Sequence, residues 1–123
     1  MHDRVISKVL VVEDEPLIRM GLADTCENAG FVVIEAGDGV DALAILNRDP
    51  DLRLVLTDVD MPRMDGLELS RTIAREFPDV RVVLMSGMTF SRTGDFPVNV
   101  PFFEKPINDS ALVECLKKLA QHV

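Results

Sequence analysis

The sequence predicts an α/β fold in which helices cover both faces of a doubly wound, five-stranded parallel sheet. Short β-branched apolar runs alternate five times with longer segments of helical period. The apolar runs show little alternation between two faces, which is typical of parallel strands that are buried on both sides. The order βαβαβαβαβ predicts that ligands bind in the crevice beyond the carboxyl ends of the strands, where the strand order reverses.

The length and composition predict one cytoplasmic domain over residues 1–123. A chain of 123 residues, 47% of them hydrophobic, can bury one sizeable core but not two. No run approaches the ~20 consecutive apolar residues of a membrane span, and the N-terminus lacks the layout of a secretion signal. A formal net charge of −8 disfavours direct binding to nucleic acid or to an anionic membrane. The two cysteines have no metal-ligand spacing and are expected to be small buried hydrophobic residues.

Each β-branched apolar run is predicted to be one strand of the sheet. The runs are Lys8–Val12, Phe31–Ile34, Leu52–Leu56, Val80–Met85 and Val100–Phe103.

The first helix is predicted to begin near Pro16, because proline is tolerated in a first helical turn, and to stop at Gly30. Four residues at helical spacing are expected to form its buried stripe. They are Ile18, Leu22, Cys26 and Ala29.

Three further helices follow from capping residues and apolar periodicity. One opens at Asp38-Gly39, one runs from about Gly66 to Phe77, and the last begins near Asn108 or Asp109. Their expected buried residues are Ala42, Leu43 and Leu46, then Leu69 and Ile73, then Leu112, Leu116 and Leu119. The connection from Gly87 to Asn99 contains two glycines and a proline, so the sequence predicts a short or irregular fourth helix there.

Polar side chains cluster where the predicted strands end. These residues are Glu13, Asp14 and Glu15 after strand one, Thr57, Asp58 and Asp60 after strand three, Ser86 after strand four, and Glu104 and Lys105 after strand five. Any one of them alone is more often a helix cap or a solvated charge. Their joint occurrence at one sheet edge favours a functional site.

Several carboxylates in a partly desolvated crevice repel one another unless a cation neutralises them. Oxygen ligands with few carboxylates suit Mg²⁺ better than Ca²⁺ or the soft metals, so Asp14 and Asp58 are predicted metal ligands. Asp60 could bind through its side chain or its backbone carbonyl, and we favour the carbonyl. A lysine and a hydroxyl on the opposite side would clamp a transferred phosphoryl group, with Asp58 as the candidate nucleophile.

The residues in this order closely resemble the receiver domain of bacterial two-component response regulators. The matching segments are residues 9–16, 56–69, 83–87 and 102–107, which include Glu13-Asp14-Glu15-Pro16, Thr57-Asp58, Met61-Pro62-Arg63-Met64-Asp65-Gly66 and Lys105-Pro106. The resemblance implies the flavodoxin-like strand order 2-1-3-4-5. It also implies Mg²⁺-dependent phosphorylation of Asp58 that switches a protein-interaction surface.

The resemblance assigns metal binding to the acidic residues. Asp14 and Asp58 would bind Mg²⁺, Glu13 would do so through water, and the Asp60 carbonyl would be the third protein ligand. The resemblance assigns the contacts with the phosphoryl group, and the switch, to other residues. Ser86 and Lys105 would contact the phosphoryl oxygens.

The switch implied by the resemblance consists of Ser86 and Phe102. Such domains commonly have a cis bond at the position of Lys105-Pro106. Their partners are a histidine kinase or a histidine phosphotransfer protein, expected here to dock at Leu17, Met20 and Pro106; a homodimer is also possible. Catalysis would be limited to self-phosphorylation and auto-dephosphorylation at Asp58, without turnover of an external substrate.

Two other functions stay open. A pseudo-receiver, which keeps the fold as a binding module without phosphorylation, is disfavoured because the acidic, hydroxyl and lysine set is complete. An aspartyl-phosphate phosphatase of the haloacid dehalogenase type is suggested by Asp58-Val59-Asp60, but in that family the metal-binding acidic pair follows the nucleophile, whereas Glu13-Asp14 precedes it. A dinucleotide-binding domain is excluded because no glycine-rich turn follows the first strand.

Overall fold

Parallel strands and helices alternate along the part of the chain that the computed structural model describes, residues 7–87 and 99–121. The elements are β1 (Lys8–Val12), α1 (Pro16–Asn28), β2 (Val32–Ala36), α2 (Gly39–Arg48), β3 (Leu54–Asp58), α3 (Gly66–Glu76), β4 (Arg81–Ser86), β5 (Phe102–Glu104) and α4 (Asp109–Ala120). The predicted short or irregular helix between β4 and β5 lies outside the described residues.

The five strands form one parallel sheet in the order β2-β1-β3-β4-β5. The predicted fold class and strand order are therefore confirmed. The chain leaves β1 toward β2 on one side and returns to β3 on the other, so the order reverses between β1 and β3. A crevice opens at such a reversal beyond the carboxyl ends of the strands.

Side-chain caps fix the start of each helix. Asp38 accepts a hydrogen bond from the Asp41 amide at 2.9 Å, Asp65 from the Glu68 amide at 2.8 Å, and Asn108 from the Ala111 amide at 3.0 Å. A side-chain oxygen at this position pairs with a backbone N–H that the helix itself leaves unsatisfied. The sequence predicted the helix starts at Asp38 and at Asn108 or Asp109 from these capping residues, whereas Asp65 was not identified as a cap.

Two hydrophobic clusters lie on the two faces of the sheet, because successive side chains of a strand point to opposite faces. On one face, Leu10, Val12 and Val55 pack with residues of α2 and α3. On the other, Val9, Val11 and Leu56 pack with residues of α1 and α4. The helical contributions are Ala42, Leu46, Leu69 and Ile73 to the first cluster and Leu22, Cys26, Leu112 and Leu116 to the second.

Two of the differences between the structure and the sequence prediction concern burial. Ile18 was expected in the buried stripe of α1 but is 42% exposed, since it lies in the first turn and lines an open groove beside the loop after β5. The predicted strand Phe31–Ile34 begins at Val32, which is itself 44% exposed because β2 is an edge strand. Burial on both faces therefore holds for β3, and for β1 and β4 after their first residue, but not for β2.

The two cysteines are free thiols with different environments. Cys26 is fully buried, and burial raises the pKa of its thiol to about 11. Cys115 is partly buried, and burial raises the pKa of its thiol as well.

Among the helices of the described ranges, none has the length and apolar character needed to cross a membrane.

Candidate functional site

Three carboxylates meet at the carboxyl edge of β1 and β3, where the strand order reverses. Glu13 and Asp14 follow β1, and Asp58 is the last residue of β3 rather than the first residue after it. One oxygen from each lies within 4.8 Å of the others. Glu13 is 1% exposed and Asp58 4% exposed, whereas Asp14 is open to solvent.

The Asp58 carboxylate is in an environment that disfavours its charge. Burial, and next the negative charge of Glu13, raise the pKa of Asp58 from 3.8 to about 6, although Lys105 opposes the change. Within the described part of the chain, Asp58 Oδ1 is buried and has no hydrogen-bond partner. A buried carboxylate oxygen that lacks a donor is suited to binding a cation or to reacting.

Lys105 reaches this cluster from the loop after β5. Its Nζ lies 2.8 Å from Glu13 Oε1 and 3.4 Å from Asp58 Oδ2. Burial disfavours the charged ammonium group, but the hydrogen bond to Glu13 and the charge of Asp58 outweigh burial and raise the pKa of Lys105. The Lys105 amide also donates to the Ser86 carbonyl at 2.9 Å, and the predicted cis bond between Lys105 and Pro106 is present.

A further polar pair, Ser86 and Asp60, lies where β4 and β3 end. Ser86 is the fully buried last residue of β4, and its Oγ lies 3.1 Å from Asp60 Oδ2, to which it donates. Asp60 is exposed. The Asp60 carboxylate is thus engaged with the Ser86 hydroxyl group.

The loop between β3 and α3 is fixed at its base by close backbone packing. The Val59 amide donates to the Met85 carbonyl at 2.8 Å, and the Gly66 amide donates to the Val59 carbonyl at 2.9 Å. A Cβ atom at Gly66 would lie 2.2 Å from the Asp58 carbonyl oxygen. Only glycine therefore allows α3 to start directly against the backbone of the candidate nucleophile.

The tip of the same loop contacts α2, a feature that the sequence did not reveal. Arg63 has a φ of 66° and donates through Nε to Asp38 Oδ2 at 3.0 Å, with Nη2 also contacting that oxygen. Asp38 is the cap of α2. The hydrogen bond from the Asp41 amide, and next the one from Arg63, lower the pKa of Asp38.

The chemistry of the donor set fits Mg²⁺. Glu13, Asp14 and Asp58 offer hard carboxylate oxygens, with no cysteine or histidine in this cluster of described residues. The oxygen of Asp58 without a hydrogen-bond partner supplies an independent reason to expect a cation there.

Comparisons with known proteins show the family to which this chain belongs. The model of the family described as "Response regulator receiver domain" matches residues 9–117. This chain is a response-regulator receiver domain.

The relatives of this receiver domain include both large and small proteins. It is 33% identical to the sensor kinase CckA of Brucella abortus over 92% of this chain and 12% of that protein. It is 30% identical to the response regulator receiver protein CpdR of Brucella abortus over 93% of this chain and 97% of that protein. A solved response regulator receiver protein from Pseudomonas putida is 28% identical, with a TM-score of 0.85 over 94% of this chain and 99% of that one. The receiver domain therefore spans nearly all of some relatives and a small part of others.

The residues expected to dock a partner lie on one side of the receiver domain. Leu17 is 76% exposed and Met20 55% exposed, and Pro106 is also exposed. An open groove between α1 and the loop after β5 lies in this region and is lined in part by Ile18, Leu22, Thr25, Pro106 and Ile107. All three residues are accessible to a partner, and docking at them is a proposal.

Proposed function

We propose that this receiver domain accepts a phosphoryl group on Asp58 and thereby changes a protein-interaction surface. The observation that carries the proposal is the environment of Asp58. A buried carboxylate without a donor for Oδ1 lies beside two further carboxylates and 3.4 Å from the Lys105 ammonium group. Such an arrangement supplies a nucleophile, a cation site and a positive charge for the transferred group.

The proposed donor is a phosphohistidine of a histidine kinase or a histidine phosphotransfer protein. An Asp58 oxygen attacks phosphorus, and the P–O bond forms as the P–N bond breaks. The imidazole leaves with the bonding electron pair and takes a proton from water. Hydrolysis reverses the state of Asp58: water attacks phosphorus, the P–O bond to Asp58 breaks with its electron pair going to the carboxylate, and inorganic phosphate and a proton are released.

Asp14, Asp58 and the Asp60 carbonyl are the proposed protein ligands of Mg²⁺, with Glu13 acting through water. When bound, Mg²⁺ neutralises charge on the phosphoryl oxygens and aligns them for in-line attack. Lys105, which contacts both Glu13 and Asp58, would transfer its contact to a phosphoryl oxygen as negative charge accumulates there.

Ser86 and Phe102 are the proposed switch. The Ser86 hydroxyl would leave Asp60, to which it donates at 3.1 Å, and donate to a phosphoryl oxygen instead. Phe102 is partly buried and pairs with Leu84 of β4, two residues before Ser86, so a displacement of this strand end would reach the ring through the sheet. Phenylalanine has no hydroxyl group, so packing alone would distinguish its two positions.

Intact mass spectrometry after incubation with acetyl phosphate tests the proposal. We expect one phosphoryl adduct in the wild type with Mg²⁺, and none in the presence of EDTA or in Asp58→Asn. Asp79→Asn is a matched control, because Asp79 is an exposed carboxylate in the turn before β4.

A metal-dependent adduct that disappears only in Asp58→Asn supports the proposal. Absence of an adduct, together with absence of Mg²⁺ binding in a titration, would instead favour the pseudo-receiver function. An adduct that persists in Asp58→Asn would contradict the assignment of the acceptor. The phosphatase alternative predicts catalytic release of phosphate from external phosphate esters, which the same samples can be assayed for.

A further inference from the structure

A contact on the far side of the β3–α3 loop bears on the proposed metal site. We infer that the ion pair between Arg63 and Asp38 is a positioning device that holds this loop so that the Asp60 backbone can bind Mg²⁺. The inference rests on the proposed function and concerns two residues outside the acidic cluster.

The backbone of Arg63 is held in a conformation that arginine rarely adopts. Among the described residues it is the one non-glycine with a positive φ, at 66°, and the Met64 amide donates to the Pro62 carbonyl across it at 2.8 Å. A hydrogen bond spanning a single residue at positive φ defines the strained form of the γ-turn. Such a conformation persists only when its surroundings determine it.

Two contacts with α2 provide those surroundings. Arg63 donates through two nitrogens to Asp38 Oδ2, while the other oxygen of Asp38 caps α2 through the Asp41 amide. Beside this pair, a Cβ atom at Gly39 would lie 2.9 Å from the Met64 side chain. The tip of the loop is therefore fixed to the first turn of α2 by both charge and packing.

Asp60 lies between this tip and the fixed base of the loop. Before Asp60 in the chain, the Val59 amide is hydrogen-bonded to the Met85 carbonyl, and after it, the Arg63 side chain is hydrogen-bonded to Asp38. A ligand carbonyl on a loop with one free end would lose orientation, and Mg²⁺ demands nearly ideal octahedral geometry. Loss of the ion pair should thus weaken Mg²⁺ binding although neither partner belongs to the proposed ligand set.

Two variants separate positioning from folding. Arg63→Gly removes the ion pair but accepts the positive φ without strain. Asp38→Asn removes the charge opposite Arg63 but keeps the cap of α2, because asparagine caps helices as well as aspartate does. Arg63→Lys retains a positive charge and should restore part of the effect. Arg75→Ala is the control, since Arg75 is an exposed arginine of α3 that pairs only loosely with Glu76, at 3.6 Å.

The experiment is a Mg²⁺ titration of the intact chain, with thermal unfolding in EDTA measured on the same samples. We expect Arg63→Gly and Asp38→Asn each to raise the Kd for Mg²⁺ roughly tenfold. The double variant should be no weaker than either single one, because both remove the same contact. Phosphorylation at saturating Mg²⁺ should still give the Asp58 adduct, and Arg75→Ala should bind Mg²⁺ like the wild type.

The possible outcomes distinguish this inference from the proposed function. If Mg²⁺ binds the wild type and not Asp58→Asn, but Arg63→Gly and Asp38→Asn bind it with wild-type affinity, the positioning role is overturned and the proposed function stands. Weaker binding in proportion to a lower unfolding temperature in EDTA, with Arg63→Lys no better than Arg63→Gly, also overturns it. If the wild type itself does not bind Mg²⁺, the proposed function fails and the inference fails with it.

Discussion

The Asp58 carboxylate is buried and lies beside another negative charge, and both features destabilise the folded protein. This destabilisation can be measured without any phosphodonor. The carboxylate is 4% exposed and lies beside Glu13, and these two features raise its pKa to about 6. Because the folded protein holds a proton on Asp58 more tightly than the unfolded chain does, the carboxylate contributes instability that grows as pH rises from about 4 to about 6 and is constant above that range.

Replacing Asp58 by asparagine should therefore stabilise the protein in EDTA at pH 7. The interval between 3.8 and about 6 corresponds to at most about 3 kcal/mol, so we expect a gain of about 1 to 3 kcal/mol in the free energy of unfolding. Urea unfolding of the wild type and Asp58→Asn at pH 7 and pH 4 measures this gain in the free energy of unfolding. The gain should largely vanish at pH 4, where Asp58 is protonated in the folded state, and Asp79→Asn should show no such pH dependence.

The exposed Asp60 carboxylate should repel anionic phosphodonors as they approach Asp58. Asp60→Asn keeps an oxygen that can accept from Ser86 but removes the charge, so phosphorylation by acetyl phosphate should accelerate about threefold at low salt. The rate of adduct formation at low and high ionic strength is the measurement. Because salt screens exposed charges, the ratio of variant to wild-type rates should fall toward one at high salt. A ratio that does not depend on salt would contradict a charge effect.

At the scale of elements, two glycines in helices have opposite roles. Gly66 begins α3 where an added Cβ atom would meet the Asp58 carbonyl oxygen at 2.2 Å, whereas an added Cβ atom at Gly21, in the middle of α1, would have no atom within 4 Å. The first glycine allows the site to form, and the second only weakens its helix.

We expect Gly66→Ala to destabilise the fold by about 3 kcal/mol or more, because the obstacle is backbone and cannot swing away. Gly21→Ala should stabilise it by about 0.5 to 1 kcal/mol, since alanine restricts the unfolded chain and favours helix. Chemical denaturation of both variants tests the pair of expectations. Equal effects of the two substitutions would contradict the packing described at α3.

Sequence reasoning predicted the elements better than the contacts between them. The caps Asp38 and Asn108 and the apolar periodicity located the helix starts, because these signals are local. Ile18 was misassigned because its spacing matched the stripe of α1, although its side chain borders an open groove that local spacing does not reveal. The Arg63–Asp38 and Ser86–Asp60 contacts were not predicted, since they join residues 25 and 26 positions apart through tertiary packing.

At the scale of the whole molecule, the sheet separates two cores and places the proposed docking residues away from both. Leu17 projects from α1 with 76% of its surface exposed, whereas Leu22 on the same helix is 7% exposed and packs in the cluster between the sheet, α1 and α4. Stability and partner binding should thus depend on different faces of one helix.

Leu17→Ser should leave the free energy of unfolding nearly unchanged but slow phosphotransfer from a phosphorylated histidine kinase about tenfold, as expected for loss of an apolar anchor in an interface. The measurement is the rate of phosphotransfer from each of a panel of purified histidine kinases, compared with the rate of phosphorylation by acetyl phosphate. Val32→Thr, on the edge strand β2, is the control for loss of an exposed apolar side chain. If phosphorylation of Leu17→Ser by acetyl phosphate were also slower than that of the wild type, the cause would be damage at Asp58 and not loss of docking.

The buried thiol of Cys26 gives the protein an internal reporter of its own opening. A thiol reagent attacks the thiolate, and Cys26 is both fully buried and shifted to a pKa of about 11, so its modification requires the cluster around α1 to open first. Cys115, the other cysteine of the chain, is partly exposed and should react earlier. The rate of the slow phase of labelling would then report the free energy of opening of that face in the unmodified sequence. A change in this rate on adding Mg²⁺ or a phosphodonor would reveal how far metal binding or phosphorylation at Asp58 is transmitted through the sheet.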